Sequence, residues 1–319
     1  MAFGLMQGVG MTRGSGSLAS STSSSRCLNM QLGGAMEDSR VFIFGLGYVG
    51  QALAKHLQQR WGCQVSGTSR SGREAERLSS LGIRTFLFSG GEEPLALCEE
   101  GQGRLREATH VLSTIPPSSN GDPVLVEHCE TLRSLRSSWV GFLSTCGVYG
   151  DHEGEWVDEE SATRVGQEDR AAQWLQAEER WRACTGGGGN VFRLAGIYGT
   201  GRSAIDSVRS GRAAREDEDK LVSRIHVEDI CSVLRVSMES NSQARVFNVA
   251  DDYPCSRSEV YNFVRHLLEQ EGVEVPDAAA AAAVTDVGKK GRRARRGSKK
   301  ASSLLIRATV RGLRLSWKS

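Results

Sequence analysis

The chain has no C-x-x-C pair, no His–Cys grouping at metal-ligand spacing, and no apolar run near the ~20 residues that a membrane-spanning helix requires. Its eight cysteines, at 27, 63, 98, 129, 146, 184, 231 and 255, are scattered. That scatter fits a reduced intracellular protein better than a disulfide framework. The six histidines are equally dispersed, so no metal is expected. Acidic residues are missing from Met1 to Met36, a stretch rich in Ser, Gly and Thr that carries Arg13 and Arg26. Acid-poor, Ser-rich and Arg-bearing is the composition of an organelle transit peptide, and no long apolar core marks a secretory signal. Residues 1–38 are therefore expected to be a disordered leader, with the chloroplast ahead of the mitochondrion. A plain disordered tail on a cytoplasmic protein is the alternative.

Charge is nearly balanced overall, at +2 for 319 residues, but unevenly placed. After Val275 come six alanines, Ala278–Ala283, and then Lys289–Lys300, where eight of twelve residues are basic. Such a block attracts anionic partners. No aromatic residues interleave it and no binding fold surrounds it, so residues 276–319 read as a disordered basic tail rather than a nucleic-acid site.

What is present begins at residue 39. Val41-Phe42-Ile43-Phe44 is an apolar run for one buried strand, and it leads directly into Gly45-Leu46-Gly47-Tyr48-Val49-Gly50 and a helical pattern. In this G-x-G-x-x-G spacing Gly45 permits the tight turn and Gly47 lets a pyrophosphate approach the backbone. Gly50 lets helix and strand pack closely. The helix N-terminus then offers N–H groups to phosphates, so Gly45, Gly47, Tyr48, Val49 and Gly50 are expected to bind a dinucleotide. The second strand, Gln64–Thr68, ends about 20 residues past the last glycine. A cofactor lacking the 2′-phosphate would want Asp or Glu there; the chain has Ser69, Arg70 and Arg73. A guanidinium suits a phosphate dianion. NADP(H) is favoured over NAD(H), the plain alternative being a solvated Arg70 in a surface turn.

Strand and helix patterns then alternate to about residue 275, which implies a doubly wound, Rossmann-type α/β parallel sheet with a small C-terminal substrate-side portion. Strands are expected at Arg84–Phe88, His110–Thr114, Trp139–Ser144, Asn190–Leu194 and 245–250. Helices are expected at Pro123–Arg136, Gln167–Ala183, Val227–Met238 and Arg257–Gln270. Loops rich in Gly, Ser, Thr and Tyr then gather at the carboxyl edge of the sheet.

At the fifth strand, Ser144-Thr145-Cys146-Gly147-Val148-Tyr149-Gly150 is similar to the S-[ST]-x-x-V-Y-G signature of extended short-chain dehydrogenases/reductases, the NAD(P)-dependent epimerase/dehydratase family. Phe192–Gly199, Ser223–Ile230 and Val246–Asp252 resemble the same family in the same order, over about residues 40–270. Gly154–Glu159 resembles the atypical branch. The resemblance implies cofactor contacts from Thr114 and Ser144, and a substrate hydrogen bond from the Thr145 hydroxyl. It also implies a Tyr-x-x-x-Lys pair eight residues before Glu178. Those places hold Arg170 and Trp174, which leaves the ordinary route without its base. Tyr149 is the nearest replacement acid/base; a ring packed over the strand end is its other reading. Cys146 reads as a small buried thiol. Arg202, in a Gly-Thr-Gly-Arg loop, is the better of two arginines for an anionic substrate group, Arg193 being the other. His226 faces the cleft or makes a structural hydrogen bond at a helix start, and Asp229 reads as a first-turn acid. The expected partner is a small-molecule substrate, with oligomeric state open and a homodimer the arrangement to test.

Overall fold

A computed structural model describes residues 36–90, 96–135, 139–209, 220–273 and 300–301. The chain divides into Met1–Ala35 and Met36–Ser319, and everything described lies in the second unit. The expected leader (apart from residues 36–38) and almost all of the expected basic tail lie outside the described residues.

The strand after residue 39 is β1, Arg40–Phe44, and its side chains alternate between two apolar layers. Val41 and Ile43 enter one cluster with Leu53 and Leu57 of helix α1 (Tyr48–Trp61) and with Ile230 and Leu234 of a later helix. Phe42 and Phe44 enter the other, with Leu105, Leu132 and Trp181. A strand buried on both faces reads as a continuous apolar run because helices cover both sides of a parallel sheet.

The next elements are β2 (Gln64–Ser69), α2 (Gly72–Ser80), β3 (Arg84–Leu87), α3 (Glu99–Arg106) and β4 (His110–Ser113). They are followed by α4 (Pro123–Ser134), β5 (Trp139–Thr145), β6 (Trp156–Val157), α5 (Arg170–Cys184), β7 (Asn190–Leu194) and β8 (Gly196–Tyr198). The remainder is α6 (Ala204–Arg209), β9 (Arg224–His226), α7 (Val227–Glu239), β10 (Val246–Val249), α8 (Arg257–Gln270) and β11 (Lys300–Ala301). Seven strands form one sheet in the order β10-β7-β5-β4-β1-β2-β3, every neighbouring pair parallel. Chain order reverses between β1 and β4, so the ligand crevice of this topology opens beyond the carboxyl ends of those two strands.

Two features depart from the sequence reading. Helix α3 lies in the Glu-rich connection after β3; its two glycines and single buried leucine hide the helical period. The run after β7 leaves the main sheet at Ala195, and β8 pairs in parallel with β9 in a separate two-stranded sheet. In the tail, Lys300–Ala301 pairs with Trp156–Val157.

The cysteine reading needs a correction. Cys129 of α4 and Cys184, the last residue of α5, form a disulfide with Cα atoms 5.8 Å apart. Fifty-five residues separate them in sequence, and only the packing of α4 against α5 brings them together. Cys63, Cys98, Cys146, Cys231 and Cys255 are free thiols. Among the described residues no group of His, Cys, Asp or Glu is arranged to hold a metal, and no helix is long and apolar enough to cross a membrane.

Asp122 fastens α4 to α5. It caps α4, accepting from the Val124 and Leu125 N–H groups at 2.9 and 3.1 Å. Its other oxygen accepts from Trp181 Nε1 at 2.9 Å. Burial pushes its carboxyl above the usual range, against the pull of these three donors. Asp122→Ala should remove the cap and orphan a buried indole N–H. We expect a loss of about 2–4 kcal/mol in denaturant unfolding, and a smaller loss for Asp122→Asn, which keeps an acceptor.

Candidate functional site at the carboxyl edge

The glycine turn is closed from beneath by two threonines. Thr68, fully buried in β2, accepts from the Gly45 N–H through Oγ1 at 2.9 Å and from the Leu46 N–H through its carbonyl at 2.7 Å. Across the chain reversal, Thr114 Oγ1 donates to the Gly45 carbonyl at 2.6 Å. Gly45 has φ +88°, in the left-handed region, and a Cβ there would lie 2.8 Å from both Thr114 Oγ1 and Ile115 Cγ1. A Cβ on Gly50 would lie 2.4 Å from the Gly45 carbonyl oxygen, so helix and turn touch through backbone.

Gly47 differs. Nothing lies within 4 Å of the place its Cβ would take. It is the N-cap of α1, no side chain caps that helix, and its first turn has no acid. The Tyr48, Val49 and Gly50 N–H groups thus start a 14-residue helix uncapped by any side chain. The cradle fits a pyrophosphate: open space over one glycine, N–H donors behind it and the positive end of the helix dipole. Val49 itself is buried in the core, so only its backbone serves this surface.

At the end of β2, Ser69 Oγ accepts from the Ser71 N–H at 3.2 Å and shapes the turn. Arg70 and Arg73 are exposed, and among the described residues neither makes an ion pair. The nearest acid, Glu74, pairs with Arg77 at 2.7 Å, which holds its carboxyl below the usual range. The rim beside β2 is therefore cationic.

Thr145 ends β5 at the same edge, half-buried. Its Oγ1 accepts from the Gly147 N–H at 3.0 Å and caps the 3-10 turn Cys146–Tyr149, leaving its own proton to donate. Ser144 is placed differently from the expectation, and Tyr149 takes the second of its two readings. The Ser144 side chain points beneath the crevice, where its hydroxyl donates to Glu178 Oε1 at 2.5 Å. Tyr149 is fully buried; its hydroxyl donates to Asn248 Oδ1 at 2.7 Å and accepts from Arg193 Nη1 at 2.9 Å. Burial, partly offset by Arg193, pushes its phenol up to about 12. A ring packed beneath the strand end, not an exposed acid/base, is what the geometry gives.

Arg193 is likewise withdrawn from substrate. Its Nη2 meets Glu178 Oε2 at 2.7 Å, both side chains are buried, and its guanidinium lies 5.0 Å from the Tyr149 ring centre. Burial disfavours that charge, but Glu178 outweighs it and the guanidinium pKa is raised. Removing one partner of such a buried pair typically costs about 3–5 kcal/mol. The Cys146 thiol donates to the Arg193 carbonyl at 3.1 Å, a buried structural contact. Arg170 is an exposed first-turn residue of α5, and Trp174 packs on Phe142 with ring centres 5.9 Å apart.

The loop after β8 reaches back over the glycine turn. Gly199 and Arg202 close it with reciprocal backbone hydrogen bonds of 3.3 and 2.9 Å. Tyr48 Oη donates to the Thr200 carbonyl at 3.2 Å, and the Arg202 guanidinium lies 5.6 Å from the Tyr48 ring centre. Arg202 is exposed and, among the described residues, makes no ion pair with an acid. His226 Nδ1 accepts from the Glu228 N–H at 3.3 Å as the N-cap of α7, while a Cβ on Gly199 would meet its Nε2 at 3.2 Å and Tyr48 Oη at 2.6 Å. Tyr48, Arg202 and His226 are thus brought to one loop, with Asp229 in the first turn behind. One group here was not singled out from sequence. Asp251, just past β10, takes the Arg224 carbonyl through its N–H at 2.7 Å, has one carboxylate oxygen buried without a partner, and is pushed by burial up to about 6. Its signals in the sequence were its place just past a strand end and inside the family-like segment Val246–Asp252.

No protein-family model matches the chain, and no curated protein does. Solved structures do. A functionally unknown conserved protein from Silicibacter pomeroyi is 32% identical, covering 87% of this chain and 93% of its own, with TM-score 0.69. A structure described as an NAD-dependent epimerase/dehydratase from Methylobacillus flagellatus is 22% identical over 87% and 93%, with TM-score 0.61. The dTDP-glucose 4,6-dehydratase of Bacillus anthracis, in complex with NAD, is 15% identical over 79% and 92%, with TM-score 0.58. The chain therefore belongs to the family of the Silicibacter protein, and its fold is that of the extended short-chain dehydrogenases/reductases, the NAD-dependent epimerase/dehydratase type.

Proposed function

We propose that the chain binds NADP(H) at the glycine turn and is an oxidoreductase or epimerase-like protein for a small polar substrate of the nucleotide-sugar class. The observation that carries this reading is the uncapped start of α1 beneath open space at Gly47, set at the chain reversal of the sheet. The backbone of residues 47–50 would hold the pyrophosphate, and Thr114 keeps that backbone in place. Arg70, with Arg73 beside it, would take the 2′-phosphate. When bound, the nicotinamide supplies hydride chemistry. The dehydratase neighbour that holds NAD supports the cofactor class and the sugar-nucleotide substrate class.

On the substrate side, Thr145 donates its free hydroxyl proton to the substrate oxygen, and Arg202 and His226 hold an anionic group. Without the Tyr-x-x-x-Lys pair, proton transfer is assigned to Asp251, two residues past Val249, which pairs with Leu194 as Thr145 does from the other side, and burial raises its carboxyl to about 6. A second reading is a non-catalytic dinucleotide-binding redox sensor or assembly factor. It is favoured by one observation: the tyrosine next to Thr145 is buried with its hydroxyl committed on both sides.

NADPH fluorescence titration of the full chain should show saturable binding, and Arg70→Ala should weaken NADPH about 10-fold or more while leaving NADH nearly unchanged. Absence of any signal at saturating protein contradicts both readings; equal loss for both cofactors contradicts the role of Arg70. Thr145→Ala should keep NADPH affinity and lose about 100-fold in turnover on a sugar nucleotide such as dTDP-glucose. Unchanged turnover would remove Thr145 from the chemistry, and its absence in the wild type across a sugar-nucleotide panel selects the sensor. If Asp251 is the base, turnover falls as pH drops through about 6, where its carboxylate is protonated. In Asp251→Asn, turnover is low at every pH and that limb is absent; a persisting limb assigns it to another group.

A further inference from the structure

The one disulfide described in a chain otherwise supplied with free thiols joins two helices whose ends do different work. Cys184 is the last residue of α5, and it is buried. Cys129 lies mid-way along α4 and is half-buried, so it is the more exposed residue of the two. Arg133, one turn on in α4, brings Nη2 to 4.0 Å from the Cys129 sulfur while pairing through Nη1 with Glu130 at 2.7 Å. That contact sets a hydrogen-bond donor beside the sulfur that a reagent would attack. Helix α5 also carries Glu178, which holds Ser144 and Arg193 beneath the Thr145 turn.

We propose that Cys129–Cys184 is a thiol–disulfide exchange site, with Cys129 the attacked and attacking cysteine, Cys184 the resolving one, and a dithiol protein or a glutathione-type disulfide its reagent. In the reducing direction a thiolate of the dithiol attacks the Cys129 sulfur. The bond to Cys184 breaks and Cys184 leaves as a thiolate that takes up a proton. The second thiol of the reagent then attacks its own sulfur in the mixed disulfide and releases Cys129. Two electrons and two protons have passed to the protein, and the reagent has become a disulfide. In the oxidising direction the Cys129 thiolate attacks the reagent disulfide, and Cys184 displaces it. Oxidation ties the C-terminal end of α5 to α4; reduction leaves that end held by Asp122, Trp181 and apolar packing.

The test uses the full chain incubated with oxidised glutathione or with dithiothreitol under native conditions. Peptide mass mapping should show the Cys129–Cys184 link form with the first and disappear with the second. Iodoacetamide should label Cys129 of the reduced protein faster than Cys184. On reduction the Tm should fall by on the order of 5–10 °C, and amide exchange in the last two turns of α5 should quicken several-fold. Cys129→Ser should respond to neither reagent; should that variant fail to fold, the two wild-type samples carry the comparison. The proposal is overturned if glutathione never forms the link, or if dithiothreitol breaks it only after guanidinium unfolding, which marks a permanent brace. Equal α5 exchange in both redox states overturns it as well. None of these readouts depends on whether NADPH binds.

Discussion

The carbonyl oxygen of Gly45 is the point on which the site is built. Thr114 holds it from the neighbouring strand, and Gly50 leaves room for it from the helix. Thr68 fixes the two N–H groups on either side of it. Four segments, from β1, α1, β2 and the end of β4, thus meet at one peptide group. A side chain at 50 would press against the Gly45 carbonyl, and one at 45 against the bonded Thr114 hydroxyl and the Ile115 side chain. The strain would fall on the first turn of α1, whose N–H groups form the phosphate-facing surface.

Beneath that surface lies a second, hidden tier. Ser144, Glu178, Arg193, Tyr149 and Asn248 form one hydrogen-bonded chain running from β5 through α5 and β7 to β10. Each has a charged, hydroxyl or amide group removed from water, and such groups are tolerable only when every partner is present. Outside that network, the half-buried Thr145 accepts from the Gly147 N–H and keeps its hydroxyl proton to donate. This explains why the Ser-Thr-x-x-Val-Tyr-Gly segment carries more polar residues than the crevice uses: two of them are the floor.

The sheet and the glycine turn were legible because their causes are local. Strand β1 announces itself by a run of apolar residues, and the turn by glycines at positions where the backbone needs φ above zero or an unobstructed approach. Helix α3 was invisible because its stability comes from Leu105 and from packing against Phe86 and Leu97, not from its own sequence. The sequence left the orientation of Ser144, Tyr149 and Arg193 undecided for a different reason. Polar residues at a sheet edge look alike in sequence whether they face the cleft or one another, and only the path of α5 brings Glu178 against them. The Cys129–Cys184 pair was missed likewise, since helix packing rather than spacing sets it.

The departure of the chain from the main sheet at Ala195 has a bearing on how such proteins diversify. Strand β7 finishes its ladder before residue 196, and β8 then answers only to β9. Insertions or replacements after Gly196 can therefore reshape the roof over the crevice while the seven-strand platform keeps its register. Selectivity for one ligand over another then becomes a module separable from the platform beneath it.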